Sequence, residues 1–187
     1  MTKRKIQTFV DGTSIEQLTQ GITEVFSAKN KIENHLEEIE RNGYTVIKNV
    51  FSKNECNLAK KKIDVIYKNQ IKEFGSEKKL ELINEKNIVR SLFAYDNFFL
   101  KFLDKKIQSE ILKKIFGKKF ILNLQNSPIM QPKSKQYSAA WHRDLSYQHF
   151  VSSRPLAISM VISLDKSTKE NGATFVLPHS HKFELFP

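Results

Sequence analysis

The sequence predicts an α+β fold, with helices in the N-terminal half and strands in the C-terminal half. Up to Gly117, apolar residues recur near every fourth position, which is the spacing of helices with one buried face. After Gly117 the spacing changes to every second residue, which is typical of half-buried strands. Two segments carry this second pattern, residues 120–127 and residues 156–164. We therefore expect a helical layer that precedes and packs on a β-rich half.

The composition fits one globular domain. The chain has 187 residues, of which 40% are hydrophobic, so it can bury a substantial core. No apolar run approaches the roughly 18 residues that a membrane span needs. The formal net charge of +11 comes mainly from lysines mixed with glutamates, which favours a solvated surface over a nucleic-acid interface. A single cysteine, Cys56, and the lack of a secretory signal lead us to expect a cytoplasmic protein without membrane or nucleic-acid partners.

Residues 1–30 are predicted to form an N-terminal extension that carries a helix. Asp11-Gly12 is a turn signal that ends a basic, loose or extended segment. Thr13-Ser14 then offers an N-terminal cap for a helix. The apolar stripe of this predicted helix has five members: Ile15, Leu18, Ile22, Val25 and Phe26.

Residues 31–187 are predicted to form the main domain, which opens with a helix over residues 31–41. Asn42-Gly43 ends this helix, and the β-branched residues within 44–51 predict a strand. Ser52 and Glu55 then form a capping box for a longer helix that runs to about residue 72.

The middle of the chain predicts a short element and two further helices. Residues 89–93 form either a strand or a loop that faces a site. Residues 95–116 contain two helices, with Gly117 as the C-terminal stop. Core packing explains the aromatic cluster in residues 98–103 far better than a ligand site does.

Both predicted strands of the second half have a polar and an apolar face. The polar residues share a face in each: Asn123, Gln125 and Ser127 in the first, and Ser159 and Ser163 in the second. The alternate residues of the second strand are expected to pack on helices or on another sheet: Ile158, Met160, Ile162 and Leu164. A polar face either borders a wet cavity or lies in solvent at an edge strand, and the residues alone leave both interpretations open.

A possible metal-binding motif, Trp141-His142-Arg143-Asp144, precedes the second strand. On an extended backbone, side chains two residues apart point to the same face, so His142 and Asp144 can converge on one ion. One carboxylate and two histidines form the facial triad of Fe(II) oxygenases, and His-X-Asp is its local half. Alone the tripeptide is weak, because a histidine and an aspartate at this spacing usually mark a solvated turn.

Further motifs follow His142 in a fixed order. They are Tyr147, Leu164-Asp165, Glu170-Asn171-Gly172, and Pro178-His179-Ser180-His181-Lys182. Together with the Trp-His-X-Asp motif, this series resembles the phytanoyl-CoA dioxygenase family of Fe(II)/2-oxoglutarate oxygenases. The resemblance reaches back to Gly43-Tyr44-Thr45-Val46-Ile47 and so covers residues 32–187. One departure is His179, which stands where the family has glycine.

The resemblance implies a double-stranded β-helix, a cupin-like jelly roll, with flanking N-terminal helices. It also implies a dioxygenase that uses Fe(II), 2-oxoglutarate and O2 to hydroxylate a small-molecule substrate, and that decarboxylates 2-oxoglutarate to succinate. His142 and Asp144 would be metal ligands. Strand parity together with the resemblance leads us to expect that Gln125 and Ser163 face the same cavity as His142 and contact the cosubstrate, and the resemblance implies that Tyr147 contacts the substrate. No side chain is assigned an acid, base or nucleophile role.

Two family residues have no counterpart before Pro187: the distal histidine ligand and the arginine that binds 2-oxoglutarate. In the family both lie beyond the Pro-Gly-Ser-His turn, so we expect an incomplete jelly roll, a fragment of a longer polypeptide that is inactive alone; a truncated relative is the alternative. His179 and His181 are expected to be turn residues, and His149 is not expected to replace the missing ligand. The alternative function is a non-catalytic jelly-roll protein that binds a small molecule without a complete iron site.

Overall fold

The structure is a computed structural model that describes residues 7–10, 13–16, 30–131, 141–144 and 152–183. Its helices and strands, in chain order, are β1 (Gln7–Val10), β2 (Thr13–Glu16), α1 (Lys31–Asn42), α2 (Lys53–Phe74), α3 (Glu77–Leu82), β3 (Ile88–Arg90), α4 (Leu92–Tyr95), α5 (Lys106–Phe116) and β4 (Asn126–Pro128). Short 3₁₀ helices lie at Asn97–Phe102, Lys169–Asn171 and Ser180–Lys182.

The N-terminal hairpin differs from the prediction. Strands β1 and β2 pair antiparallel, with Val10 opposite Thr13. The helix predicted to begin at Thr13-Ser14 is therefore wrong over Thr13–Glu16, and its remainder, residues 17–29, lies outside the described residues. Asp-Gly between two arms that contain β-branched and aromatic residues is a strong signal for a two-residue hairpin connection, and here it prevails over the cap signal.

Helix α1 confirms the predicted helix of residues 31–41. The Asn30 side chain accepts hydrogen bonds from the backbone N–H groups of Ile32 (3.0 Å) and Glu33 (3.1 Å). These bonds satisfy two of the N–H groups that a helix start leaves without partners. The helix ends at Gly43, which adopts the left-handed conformation with φ of 86°.

Helix α2 confirms the predicted capping box and is the longest element. The backbone N–H of Ser52 donates to the Glu55 carboxylate (2.8 Å), and the N–H of Glu55 donates to the Ser52 hydroxyl (3.2 Å). One face of α2 supplies about half of the core. The buried apolar residues of the core cluster are Ala59, Ile63, Ile66, Tyr67, Leu80, Val89, Leu92, Phe99 and Phe102.

Phe98, Phe99 and Phe102 of the predicted aromatic cluster are confirmed as core or packed against it, whereas Leu100 is 47% exposed. The rings of Phe51 and Phe102 stack with centroids 4.5 Å apart, and Phe99 is 2% exposed.

Ile162 and Leu164 pack against the same cluster, as the alternation of residues 156–164 predicts. Met160, which was predicted to pack with them, is 40% exposed. The buried core cluster therefore lies within residues 59–102, and the later segments only pack against its edge.

A short antiparallel pair, β3 with β4, lies against α2. Val89 is opposite Ser127 in this pair and is fully buried. The buried side chain of Gln70 on α2 binds both backbone groups of Arg90: its Nε2 donates to the carbonyl (2.7 Å), and its Oε1 accepts from the N–H (3.1 Å). This amide fastens strand β3 to the long helix.

The jelly roll is not seen in the part of the chain that the structure describes, which is mostly helical. Residues 44–51, 120–125 and 156–164, all predicted as strands, are not helical but pair with no strand among the described residues. A strand forms only where a neighbour offers backbone hydrogen bonds, and alternation alone supplies no such partner. Of the predicted strands, pairing is found at β3 and at the last two residues of 120–127, within β4.

Candidate metal centre

The candidate ligands His142 and Asp144 lie close together on an exposed segment. Nε2 of His142 is 3.7 Å from Oδ1 of Asp144, and the two side chains are 52% and 61% exposed. Neighbouring ligands of an octahedral ion lie about 3 Å apart when each bond is about 2.1 Å long, so a small rotation brings both atoms to one ion. An imidazole nitrogen and a carboxylate oxygen form a donor set that suits Fe(II).

A third ligand is not part of this arrangement. Among residues 30–131, 141–144 and 152–183, no group of three or more histidine, cysteine, aspartate or glutamate side chains is arranged to hold a metal ion. The pair therefore provides one edge of a coordination sphere, and a complete triad needs a further histidine.

Arg143 links this motif to the C-terminal turn. Its guanidinium donates a hydrogen bond from Nη2 to the backbone carbonyl of Phe183. Sequence reasoning passed over Arg143 because it lies between the two candidate ligands. The sequence did indicate that Arg143 points away from the candidate metal site, because side-chain alternation directs residue 143 to the face opposite that of residues 142 and 144.

The histidines of the turn bind helix α1, as expected for turn residues. Nδ1 of His179 lies 2.7 Å from the Arg41 carbonyl oxygen, and Nε2 of His181 lies 2.9 Å from that of Glu40. His179 has φ of 66°, the left-handed conformation that glycine adopts most easily. This conformation accounts for the glycine that the family has at this position.

Gln125 is engaged in backbone contacts. Its Oε1 accepts from the N–H of Phe93 (3.1 Å), and its Nε2 donates to the carbonyl of Phe99 (3.2 Å). Ser163 is exposed, with its neighbours Ile162 and Leu164 turned to the core. That both residues face one cavity with His142 stays a prediction. Tyr147 and His149 lie outside the described residues.

Ion pairs connect α2 to other segments of the described chain. Nζ of Lys60 lies 2.5 Å from Oδ1 of Asp165, the aspartate of the Leu-Asp motif, and Lys62 pairs with Asp96. The Lys62 ammonium, and next the Phe98 N–H, lower the pKa of Asp96. Such partly exposed pairs contribute little to stability.

The sequence matches one protein family. Residues 39–187 match the family model described as Phytanoyl-CoA dioxygenase (PhyH), and the chain belongs to this family. It is a family of Fe(II)/2-oxoglutarate dioxygenases with a double-stranded β-helix fold.

Two uncharacterized mycobacterial proteins are similar to the chain, one from Mycobacterium bovis and one from Mycobacterium tuberculosis. Each is 26% identical over 145 residues, which is 75% of this chain and 52% of the relative. The chain thus spans about half the length of the curated relatives it matches. No solved structure matches it significantly. No helix in the described residues is long and apolar enough to cross a membrane.

Proposed function

We propose that this protein is an Fe(II)/2-oxoglutarate-dependent dioxygenase that hydroxylates a small-molecule substrate and converts 2-oxoglutarate to succinate. The observation that carries the proposal is the His142 and Asp144 pair, 3.7 Å apart, within the segment that matches the family. A lone His-X-Asp tripeptide is common. Inside a segment that matches this family, the same tripeptide is expected to bind the metal.

His142 and Asp144 would hold the metal, together with a further histidine. The bound iron would supply the chemistry that uses O2 to oxidise an unactivated C–H bond. His142 would bind as a neutral imidazole and Asp144 as a carboxylate, so both must be deprotonated where they bind. Their role is to leave the other coordination positions open for 2-oxoglutarate and O2.

Gln125 and Ser163 remain our proposed cosubstrate contacts, and Tyr147 our proposed substrate contact. In the bonds to Phe93 and Phe99, the Gln125 amide uses one of its two N–H donors and one lone pair of its oxygen. Among the bonds that the described residues make, a second N–H and a second lone pair are thus left for a ligand. Ser163 offers a hydroxyl on an exposed position.

A second candidate function is a non-catalytic binding protein of the same fold. What favours it is that no three-ligand group is found in the described part of the chain. Such a protein would bind its small molecule without consuming 2-oxoglutarate, so turnover separates the two functions.

The test is 2-oxoglutarate decarboxylation by the full-length protein after anaerobic loading with Fe(II). We expect succinate formation by the wild type, and its loss in the His142→Ala and Asp144→Ala variants. Asp64→Ala, which removes an exposed carboxylate from α2, serves as the matched control and should retain the wild-type rate. Wild-type rates in either ligand variant would show that the ligands are misassigned, and no turnover by a folded, iron-loaded wild type would favour the binding protein.

A further inference from the structure

The turn after Leu177 is compact and held by its own backbone. The N–H of Ser180 donates to the Leu177 carbonyl (3.3 Å), and the N–H of Phe183 donates to the Ser180 carbonyl (3.1 Å). His179 lies at its start in the left-handed conformation, which is unfavourable for most residues with a Cβ and is adopted more readily by asparagine, aspartate and histidine than by others. A strained residue persists where surrounding contacts hold it, and such residues cluster at functional sites.

The contacts that hold the turn are the last carbonyl groups of helix α1. A helix leaves its final four carbonyls without an internal partner. The backbone N–H of Gly43 donates to the Ile39 carbonyl (2.8 Å), and the backbone N–H of His179 donates to the Asn42 carbonyl (2.8 Å). The side chains of His179 and His181 bind the two carbonyls between these, those of Arg41 and Glu40 respectively. Three of the four partners thus come from a turn that lies more than 130 positions further along the chain.

The same turn reaches the candidate metal centre on its other side. The Phe183 carbonyl accepts a hydrogen bond from Arg143, and Arg143 stands between His142 and Asp144. The 3.7 Å separation places those two side chains on one side of the backbone, and alternation directs Arg143 to the other. Holding the guanidinium therefore orients the segment that carries both candidate ligands.

We propose that Arg143, His179 and His181 are positioning residues, and we call them the positioning clamp. They hold the backbone of His142 and Asp144 in a fixed orientation relative to helix α1. None of the three touches the metal; they act through the turn. The inference rests on the proposed function for its metal, but the mechanical link exists without any ion.

The clamp depends on the N–H donors of the two histidine rings. At each histidine, one substitution can keep this donor and a matched substitution can remove it. Carbonyl oxygens only accept, so Nδ1 of His179 and Nε2 of His181 must donate. His179→Asn and His181→Gln keep an N–H donor near the same position, whereas His179→Asp and His181→Glu place an acceptor there instead. Asparagine and aspartate both tolerate positive φ, so the first pair differs in hydrogen bonding and charge rather than in backbone strain.

The experiment measures metal binding and backbone exchange in the full-length protein. Co(II), whose visible absorption reports ligand geometry, replaces Fe(II) as the probe. We expect His179→Asp, His181→Glu and Arg143→Met to weaken Co(II) binding about 10-fold, the lower end of what outer-shell changes cost at metal sites. His179→Asn, His181→Gln and Arg143→Lys keep a donor and should restore wild-type affinity and spectrum.

Hydrogen–deuterium exchange of the metal-free protein gives a second readout. The variants that lose the donor, His179→Asp, His181→Glu and Arg143→Met, should speed exchange in peptides that cover residues 141–144. The variants that keep a donor should not. Unchanged exchange there, or equal acceleration in both members of a pair, would overturn the clamp. Absence of Co(II) binding in the wild type would refute the proposed function alone, because exchange still decides the link between turn and motif.

Discussion

Gly43 shows how much one residue contributes to the contact between α1 and the turn. Its φ of 86° lies in the left-handed region, and a Cβ there would lie 2.5 Å from Nδ1 of His181. Gly75 ends α2 in a similar conformation, with φ of 99°, but its Cβ would meet only the flexible end of Lys79, at 3.1 Å. The two glycines therefore separate backbone strain from loss of the contact.

We expect Gly75→Ala to destabilise the protein by about 1–2 kcal/mol, the cost of a Cβ in the left-handed conformation. Gly43→Ala should cost more, because His181 must also move from its carbonyl partner. Urea unfolding of both variants, followed by circular dichroism, measures the two losses. Equal losses would mean that the turn does not depend on close approach at residue 43.

The capping box of α2 predicts a pH dependence. The Ser52 N–H, and next the Lys105 ammonium, lower the pKa of Glu55 from 4.5 to about 2. Since folding favours the carboxylate, its contribution is present above the unfolded pKa and is lost as pH falls from about 4.5 toward 2. The wild type should therefore melt at a higher temperature than Glu55→Gln, and this difference in melting temperature should shrink as pH falls through this range. A difference independent of pH would contradict it.

Sequence reasoning at the residue scale succeeded where the signal is local. The Ser52 and Glu55 box and the stop at Gly43 depend on neighbours within a few positions, so their residue types sufficed. The bond between Arg143 and Phe183 depends on the folded path between residues 40 apart, and no residue pattern encodes it. The same holds for the contacts of His179 and His181 with α1.

At the scale of elements, three of the predicted helices were found, whereas the predicted helix at Thr13–Glu16 is a strand and most of the predicted strands have no strand partner among the described residues. Helices α1, α2 and α5 satisfy most backbone groups internally, so apolar spacing and caps located them. Residues 44–51 have high β propensity but find no partner in the described part of the chain, and Val46 is 63% exposed. A high β propensity means that the side chains suit a half-buried sheet surface. It does not provide the neighbouring strand to which the backbone must hydrogen-bond.

The attachment of β3 to α2 gives a prediction at this scale. Gln70→Met should leave the Arg90 N–H and carbonyl without their partner and destabilise the protein by about 1–3 kcal/mol. Asn69→Met, on the exposed face of the same helix, should change stability by less than about 0.5 kcal/mol. The free energy of unfolding in urea measures both. A Gln70 variant as stable as the control would show that solvent satisfies the strand equally well.

Over the whole molecule, the helical part and the extended part bury their apolar residues to different degrees. The extended segments carry a long series of exposed apolar side chains: Ile121, Leu122, Leu124, Leu156, Val161, Phe175, Val176 and Leu177. Their backbones also lack strand partners among the described residues. Apolar side chains beside unpaired backbone groups form a template for pairing with another chain.

The 187-residue chain should therefore self-associate through these segments as its concentration rises. The double variant Ile121→Lys and Val161→Lys removes side chains that are 88% and 71% exposed, on backbone that has no strand partner among the described residues, and should reduce association in sedimentation equilibrium. Its control, Val65→Lys with Leu82→Lys, removes side chains that are 58% and 77% exposed on α2 and α3. Helix backbones are hydrogen-bonded internally and offer no strand edge, so the control should associate like the wild type. Equal reductions in both variants would show that apolar area, and not open strand edges, drives the association.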